Sequence, residues 1–135
     1  MKKLKYQAEI EEIGCDLTDF IQQNRICYRW TFDRIEHPNN FLPRYLLKPE
    51  MPRENCMGWG LSLFETLEQA ENRLYEITQN RKRIYKAIGT HVAEGTLTEN
   101  EGISDKAQRN GHFTLFEYAE IDLQNNFKII AQIYE

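Results

Sequence analysis

The residues from Cys56 to Phe64 have the clearest capacity for ligand binding. They read Cys-Met-Gly-Trp-Gly-Leu-Ser-Leu-Phe and place Trp59 between Gly58 and Gly60 at the end of a long loop. Glycines let the backbone approach a ligand closely, and an indole offers a flat surface on which another ring can stack. The same pattern fits a tight turn whose tryptophan packs into the core. The sequence therefore leaves two interpretations open, a binding site and a structural turn.

Four further polar residues could join such a site. Arg29 lies in a predicted strand, where its guanidinium could hold a phosphate or carboxylate through two hydrogen bonds. His112 follows Gly111 at the start of another predicted strand, which also carries Glu117 and Glu120. Each has an ordinary structural explanation as well: an ion-paired arginine, a hydrogen-bonded histidine and solvated carboxylates on a sheet.

The cysteines and histidines do not have the spacing of a metal site or a disulfide framework. The sequence has three cysteines, an odd number, and none of them forms a C-x-x-C pair: Cys15, Cys27 and Cys56. No two histidines are spaced to share a helix face. We expect reduced cysteines and no metal ligands. Because no apolar leader opens the sequence, we also expect a cytoplasmic, bacterial-type protein.

Composition narrows the class of protein. The chain has 135 residues, of which 41% are hydrophobic and 28% charged, and this balance predicts one soluble globular domain over residues 1–135. The formal net charge of −4 disfavours nucleic acid as a general partner, although it leaves room for a local basic groove. No apolar run approaches the roughly 18 residues of a membrane helix, so we expect no membrane partner.

Hydrophobic periodicity predicts the elements that position these residues. Strands are expected at 4–10, 26–32, 61–64, 90–97, 112–123 and 127–134, and the last two are expected to form a hairpin around Asn125-Asn126. A helical turn is expected within 16–24. A long helix should begin at Thr66, with a T-x-x-Q capping box completed by Gln69, and end at Gly89. The predicted fold class is α+β, a mostly antiparallel sheet packed on one long helix.

Three other segments complete the prediction. Residues 36–60 contain all four prolines and should form a long, mostly irregular loop, of a kind that is often functional. Residues 98–111 are polar and should form a mobile loop or a short helix. Four cations crowd the end of the long helix: Arg81, Lys82, Arg83 and Lys86. The helix dipole explains them more simply than a phosphate-binding patch does.

The order of these polar residues resembles the Arg–Ser–Glu arrangement of NAD-binding, ADP-ribosyltransferase-like domains. In that family an arginine holds NAD, a serine supports the pocket, and a glutamate stabilises the oxocarbenium-like transition state. The resemblance implies that Arg29 and Ser62 bind the ligand, that Glu117 or Glu120 is catalytic, and that NAD is a substrate. Under this hypothesis the ligand-binding set converges on one pocket: Arg29, Trp59, Gly60, Ser62 and His112.

Two alternatives stay open. Cys56 followed by His112 is loosely similar to the NlpC/P60 peptidases, which implies a cysteine hydrolase. A small acidic domain with a long loop could instead be a non-enzymatic protein-interaction module, as immunity proteins and antitoxins are. A deep pocket around Arg29, Trp59 and Ser62 would favour a small-molecule ligand such as a nucleotide. A flat, exposed acidic or aromatic face with no such pocket would favour a protein partner.

Overall fold

The computed structural model describes residues 2–135 and has an α+β fold built on one antiparallel sheet. The six strands are β1 (Arg25–Thr31), β2 (Leu61–Phe64), β3 (His91–Leu97), β4 (Gly102–Ser104), β5 (His112–Glu117) and β6 (Phe127–Gln132). Their order across the sheet is β4-β5-β2-β1-β3-β6. The α-helices are α1 (Gln7–Ile13), α2 (Arg44–Leu47), α3 (Leu67–Asn80) and α4 (Tyr85–Ile88), and 3-10 turns occupy Cys56–Trp59 and Leu123–Asn126.

The sheet has two differently covered faces because side chains alternate along each strand. On the helix face, Trp30 and Phe64 pack together, and the Trp30 indole Nε1 donates to the Ala70 carbonyl of α3 over 2.8 Å. On the loop face, buried residues such as Cys27 and Leu63 are covered by irregular segments. The prediction of a mostly antiparallel α+β sheet is confirmed.

A second core packs around Phe116 of β5 and unites the N-terminal region with the long loop. Buried Ile10, Tyr45 and Trp59 meet there. A disulfide joins Cys15 to Cys56 with a Cα–Cα distance of 6.3 Å. The expectation of reduced cysteines was therefore wrong for this pair, because the fold brings together two cysteines that are remote in sequence. Cys27 is free and buried.

The N-terminal strand predicted over 4–10 was wrong. Only Leu4 makes a sheet-like bridge, to Tyr118, and Gln7 then opens helix α1. The helix places Tyr6, Ile10 and Ile13 against the second core, at spacings of one helical turn. Gly14 ends it with a left-handed φ of 82°, and its N–H returns to the Ile10 carbonyl. The helical turn predicted within 16–24 is reduced to one hydrogen-bonded turn, in which the Phe20 N–H donates to the Leu17 carbonyl over 2.9 Å, and the described residues there form no helix.

The long helix predicted from Thr66 to Gly89 is not confirmed. Thr66 caps α3 as expected, its Oγ1 accepting from the Gln69 N–H over 3.1 Å, but the Gln69 side chain packs against Gly111 instead of completing the box. The helix ends at Asn80, a turn follows, and α4 begins at Tyr85. Residues 79–83 are all exposed, so no buried side chain anchors this part of the chain to the sheet. Without that packing the helix does not continue through it.

The last two predicted strands do not form a hairpin. β5 pairs with β2 and β4, whereas β6 pairs with β3 at the opposite edge. The chain between them crosses the end of the sheet, and Leu123 enters the loop-face core where a hairpin turn was expected. Residues 98–111 contain strand β4, which the sequence did not indicate. Among the described residues, no helix combines the length and the apolar character needed to cross a bilayer.

Candidate functional site

The predicted ligand-binding residues are divided between the two faces of the sheet. Arg29 shares its face with Cys27, whose side chain lies in the loop-face core. Ser62 lies between Leu61 and Leu63, which belong to that same core, so its own side chain points to the helix face. The predicted convergence of Arg29, Trp59 and Ser62 on one pocket is therefore not found.

Two nitrogens of the Arg29 guanidinium donate to the protein backbone. Its Nε donates to the Asn40 carbonyl over 2.7 Å, and its Nη1 donates to the Ser62 carbonyl over 2.8 Å. Burial lowers the pKa of its guanidinium to about 10, while the charge of Glu117 acts in the opposite direction. These contacts hold the start of the long loop against β2. They favour a structural role for Arg29 over ligand binding.

Replacing Arg29 by lysine is expected to lower the free energy of unfolding by about 1–3 kcal/mol. A single ammonium lacks the planar fork that reaches two carbonyls, and one buried acceptor is left unpaired. Urea unfolding measures the change. Arg34→Lys is the control, because Arg34 lies at the surface beside Glu36. Equal stabilities of Arg29→Lys and Arg34→Lys would contradict the assignment.

Glu117, one of the two predicted catalytic carboxylates, is buried in an ion pair. Its Oε2 lies 2.8 Å from Lys5 Nζ, which also donates to the Ile121 carbonyl. Burial raises the pKa of Glu117, although Lys5 and Arg29 both oppose that rise. Its Oε1 has no hydrogen-bond partner among the described residues. Glu120 is exposed in the turn after β5, away from this pair.

Ser62 and His112 are the predicted site residues that the fold does bring together. Ser62 Oγ lies 3.0 Å from His112 Nε2 on neighbouring strands β2 and β5, with the Phe64 ring edge-on to the imidazole. Burial lowers the pKa of His112; the charge of Asp105 opposes this change, whereas the charges of Arg73 and Arg44 add to it. A neutral imidazole beside a hydroxyl is half of a nucleophile–base arrangement. Within residues 2–135 no hydrogen bond orients Nδ1, so the pair lacks the third group that such sites use.

The lowered pKa of His112 predicts a pH dependence of stability. The unfolded chain takes up a proton near pH 6.5, whereas the folded chain resists protonation until lower pH. The free energy of unfolding is therefore expected to fall as the pH drops from 7 to 5. Urea unfolding at both pH values measures the difference, and His112→Gln is expected to show a smaller one. An unchanged pH dependence in that variant would contradict the assignment.

The cysteine hydrolase hypothesis loses its nucleophile in this structure. Cys56 is bonded to Cys15, so it carries no thiol that could ionise. His112 is directed at Ser62 instead. The predicted pairing of Cys56 with His112 was therefore wrong, because the disulfide and the sheet register place the two residues in separate environments.

Trp59 and its flanking glycines form a packed turn. Trp59 is 4% exposed and stacks on Tyr6 with ring centroids 5.1 Å apart. A Cβ on Gly60 would lie 2.5 Å from Thr114 Cγ2, so the glycine is required by packing against β5. A Cβ on Gly58 would overlap the Tyr45 ring. The glycines thus bring protein backbone against protein side chains, which favours the turn over the ligand-binding alternative.

An open concavity of about 430 Å³ nonetheless lies beside this turn, and we call it the acidic groove. Helix α1 and the end of the long loop line it with Glu9, Glu12, Ile13, Arg53, Glu54 and Trp59. None of its three carboxylates forms an ion pair among the described residues. The Arg53 guanidinium lies over the Trp59 ring at 4.8 Å. The two walls are the segments that the Cys15–Cys56 disulfide connects.

The acidic groove has the chemistry of a cation-binding surface. Three carboxylates outweigh one guanidinium, and the Trp59 ring face already accepts a cation–π contact from Arg53. The Trp59 indole N–H is buried and has no acceptor among the described residues. Glu9 falls within the strand predicted over 4–10 and Glu12 lies beyond it, so the sequence did not indicate that the two share a face. A spacing of three residues places two side chains on the same face only when the segment is helical, as α1 is.

A second, smaller concavity of about 140 Å³ is lined by Gln22, Gln23, Asn24 and Glu99. Its polar lining shows no chemical preference comparable to that of the acidic groove. The part of the chain that the structure describes also contains no cluster of histidine, cysteine or carboxylate side chains suited to a metal ion.

Comparisons with protein families, with characterised proteins and with solved structures find no match to this chain.

Proposed function

We propose that this chain is a protein-interaction module that binds a basic segment of a partner protein through the acidic groove. The observation that carries the proposal is the lining of the groove: Glu9, Glu12 and Glu54 share one concavity, and none of them forms an ion pair among the described residues. A lysine or arginine side chain that enters the groove would meet carboxylates at its charged end. This proposal takes up the alternative of a protein-interaction module and assigns its contact surface to the acidic groove.

The charge distribution favours a cationic partner over a dinucleotide. The carboxylates of the groove would repel the diphosphate of NAD. Arg29, the residue implied to hold that diphosphate, has its Nε and Nη1 donors committed to the Asn40 and Ser62 carbonyls. The ADP-ribosyltransferase-like resemblance stays a prediction from the sequence, and no shared pocket of Arg29, Ser62 and Glu117 supports it.

The shape of the groove suits a protein better than a small molecule. It is open and wide, and polar residues from two segments form its rim. The disulfide connects α1 to the loop, so the two walls of the groove are held together before a partner arrives and less backbone ordering entropy is lost on binding. A disulfide is typical of an oxidising environment, whereas the sequence predicted a cytoplasmic protein.

The test is binding of a fluorescein-labelled octa-arginine peptide, measured by fluorescence anisotropy. Glu12→Lys/Glu54→Lys is expected to weaken binding at least about tenfold, because each reversal replaces an attraction by a repulsion in the groove. The matched control is Glu68→Lys/Glu120→Lys, which makes the same change of net charge at two exposed sites. An equal loss in the control, or no peptide binding by the wild type, would reject the groove as the binding surface.

A nucleotide screen examines the competing hypothesis directly. A ligand that binds only the folded state raises the unfolding midpoint. We expect no shift with NAD at concentrations up to the millimolar range. A clear shift that Arg29→Lys abolishes would overturn our proposal in favour of the NAD-directed one.

A further inference from the structure

A second charged surface lies at the far end of α3 and differs in chemistry from the acidic groove. Between Glu76 and Glu94 the chain contains no acidic residue, and four cations fall within six positions of that stretch. Three tyrosines gather beside them from separate parts of the chain. We define the basic tyrosine patch as Arg81, Lys82, Arg83, Lys86, Tyr75, Tyr85 and Tyr134.

The tyrosines of the patch form a continuous stack. Tyr85 and Tyr134 lie face to face with centroids 4.4 Å apart and an interplanar angle of 17°. Tyr75 meets Tyr134 edge-on at 6.0 Å and is 42% exposed. The rings come from α4, the C-terminal segment and α3 in turn. Aromatic surface that is stacked at the protein surface and left partly open to solvent can accept a further flat ring.

The cations of the patch are only partly explained by local structure. The last turn of α3 contains no basic residue, because the helix ends at Asn80 and all four cations follow it. The dipole effect fades within the terminal turn, so it accounts at most for Arg81, the capping residue of α3, and for Lys86 in the last turn of α4, and it leaves Lys82 and Arg83 unexplained. None of the four forms an ion pair with an acidic side chain among the described residues.

Neighbouring carboxylates leave the patch positive. Glu76, beside Tyr75, lies 3.8 Å from Arg73, so its charge is largely compensated. Glu135, which follows Tyr134, opposes one of the four cations. The patch thus keeps an excess of positive charge within a chain whose formal net charge is −4. This local excess is the basic surface that the overall charge did not exclude.

We propose that the basic tyrosine patch binds single-stranded nucleic acid. Exposed bases can stack on aromatic rings while lysines and arginines follow the phosphates, and stacking is largely independent of sequence. Paired bases in a duplex do not present their faces, so the tyrosines favour a single strand. The small size of the stack limits the site to a few nucleotides. This second surface is independent of the acidic groove and of its proposed partner.

The experiment measures fluorescence anisotropy of labelled deca-thymidylate with the full chain at low salt. Binding should weaken with salt, with the logarithm of the association constant falling by up to about 3 per tenfold increase in salt if four cations contact phosphates. Tyr85→Ala is expected to weaken binding about tenfold by removing a stacking ring. Lys82→Glu/Arg83→Glu is expected to weaken it at least tenfold.

The matched control is Lys106→Glu/Arg109→Glu. These exposed residues lie in the segment before Gly111, which contacts Gln69 at the other end of the 14-residue helix α3. That helix is about 20 Å long, so the control charges are remote from the patch. We expect the control to change the affinity less than twofold.

Three results would overturn the proposal. One is the absence of binding to deca-thymidylate in low salt. Another is an equal loss in the control variant, which would show diffuse attraction to a polyanion. The third is full affinity in Tyr85→Ala with a loss in Lys82→Glu/Arg83→Glu, because the cations would then bind phosphates or another polyanion without base stacking. Far-ultraviolet circular dichroism of each variant shows that the comparison is between folded proteins.

Discussion

Reduction of the Cys15–Cys56 disulfide is expected to lower the free energy of unfolding by about 4 kcal/mol. The bond joins residues 41 positions apart, and in the chain-entropy account closing a loop of that length restricts the unfolded chain by about this amount. The bond also fixes α1 beside the 3-10 turn in the second core. A loss of this size is a large part of the stability of an ordinary domain.

Urea unfolding with and without a phosphine reductant measures this effect. The Cys15→Ala/Cys56→Ala variant is expected to match the reduced protein and to be insensitive to the reductant. Because Cys27 is buried and unpaired, it does not contribute to the difference. A wild-type midpoint that the reductant leaves unchanged would contradict the prediction. A reductant effect that persists in the double variant would show that the bond is not its source.

The same treatment reports on the acidic groove. Glu9 and Glu12 lie on α1, which precedes Cys15, and Glu54 lies two residues before Cys56. If the disulfide fixes the groove, reduction should weaken octa-arginine binding even where the sheet remains folded. The disulfide therefore links the geometry of the acidic groove to the stability of the second core.

The centre of the sheet was predictable because its local pattern and its environment agree. β1 is rich in aromatic and β-branched residues, β3 largely alternates buried and exposed ones, and both have partners on two sides. The N-terminal segment shows the opposite case. Tyr6 and Ile10 fit a strand by alternation and a helix by their spacing of four. The helix packs against Trp59, and this contact favours the helical conformation. Because Trp59 is remote in sequence, the local pattern could not indicate the contact.

The candidate sites depend on contacts between remote parts of the chain. Ser62 and His112 were identified separately, but their hydrogen bond exists because β2 pairs with β5. The acidic groove requires the pairing of Cys15 with Cys56, which three cysteines without a recognisable spacing do not reveal. Residue types indicated which side chains could do chemistry. Register and disulfide pairing decided which of them meet.

Arg29 and Glu117 illustrate the difference between a chemically capable residue and a functional one. Both were predicted for the NAD site, and both lie on the loop face. Their polar atoms, however, are directed to the backbone and to Lys5, where they connect the sheet to the long loop and to the N-terminal segment. In this chain, irregular segments cover the loop face of the sheet, and buried polar contacts hold them there.

Replacing Lys5 by methionine is expected to lower the free energy of unfolding by about 2 kcal/mol at pH 8 and by less at pH 5. The change removes the only ion-pair partner of Glu117 among the described residues and leaves a buried carboxylate uncompensated. Lys5 is 28% exposed, so part of its charge is solvated, and the cost is smaller than for a fully buried pair.

The pH dependence follows from the pKa of Glu117. Burial already raises it, and loss of Lys5 raises it further. A carboxyl whose folded pKa exceeds its unfolded value costs stability as the pH rises through the folded value, so Lys5→Met should lose stability between pH 5 and pH 8. Glu117→Gln in the same background removes the charge and should abolish that slope. Urea unfolding of both variants at the two pH values supplies the measurement. Equal destabilisation by Lys5→Met at pH 5 and pH 8 would show that Glu117 is not the titrating group.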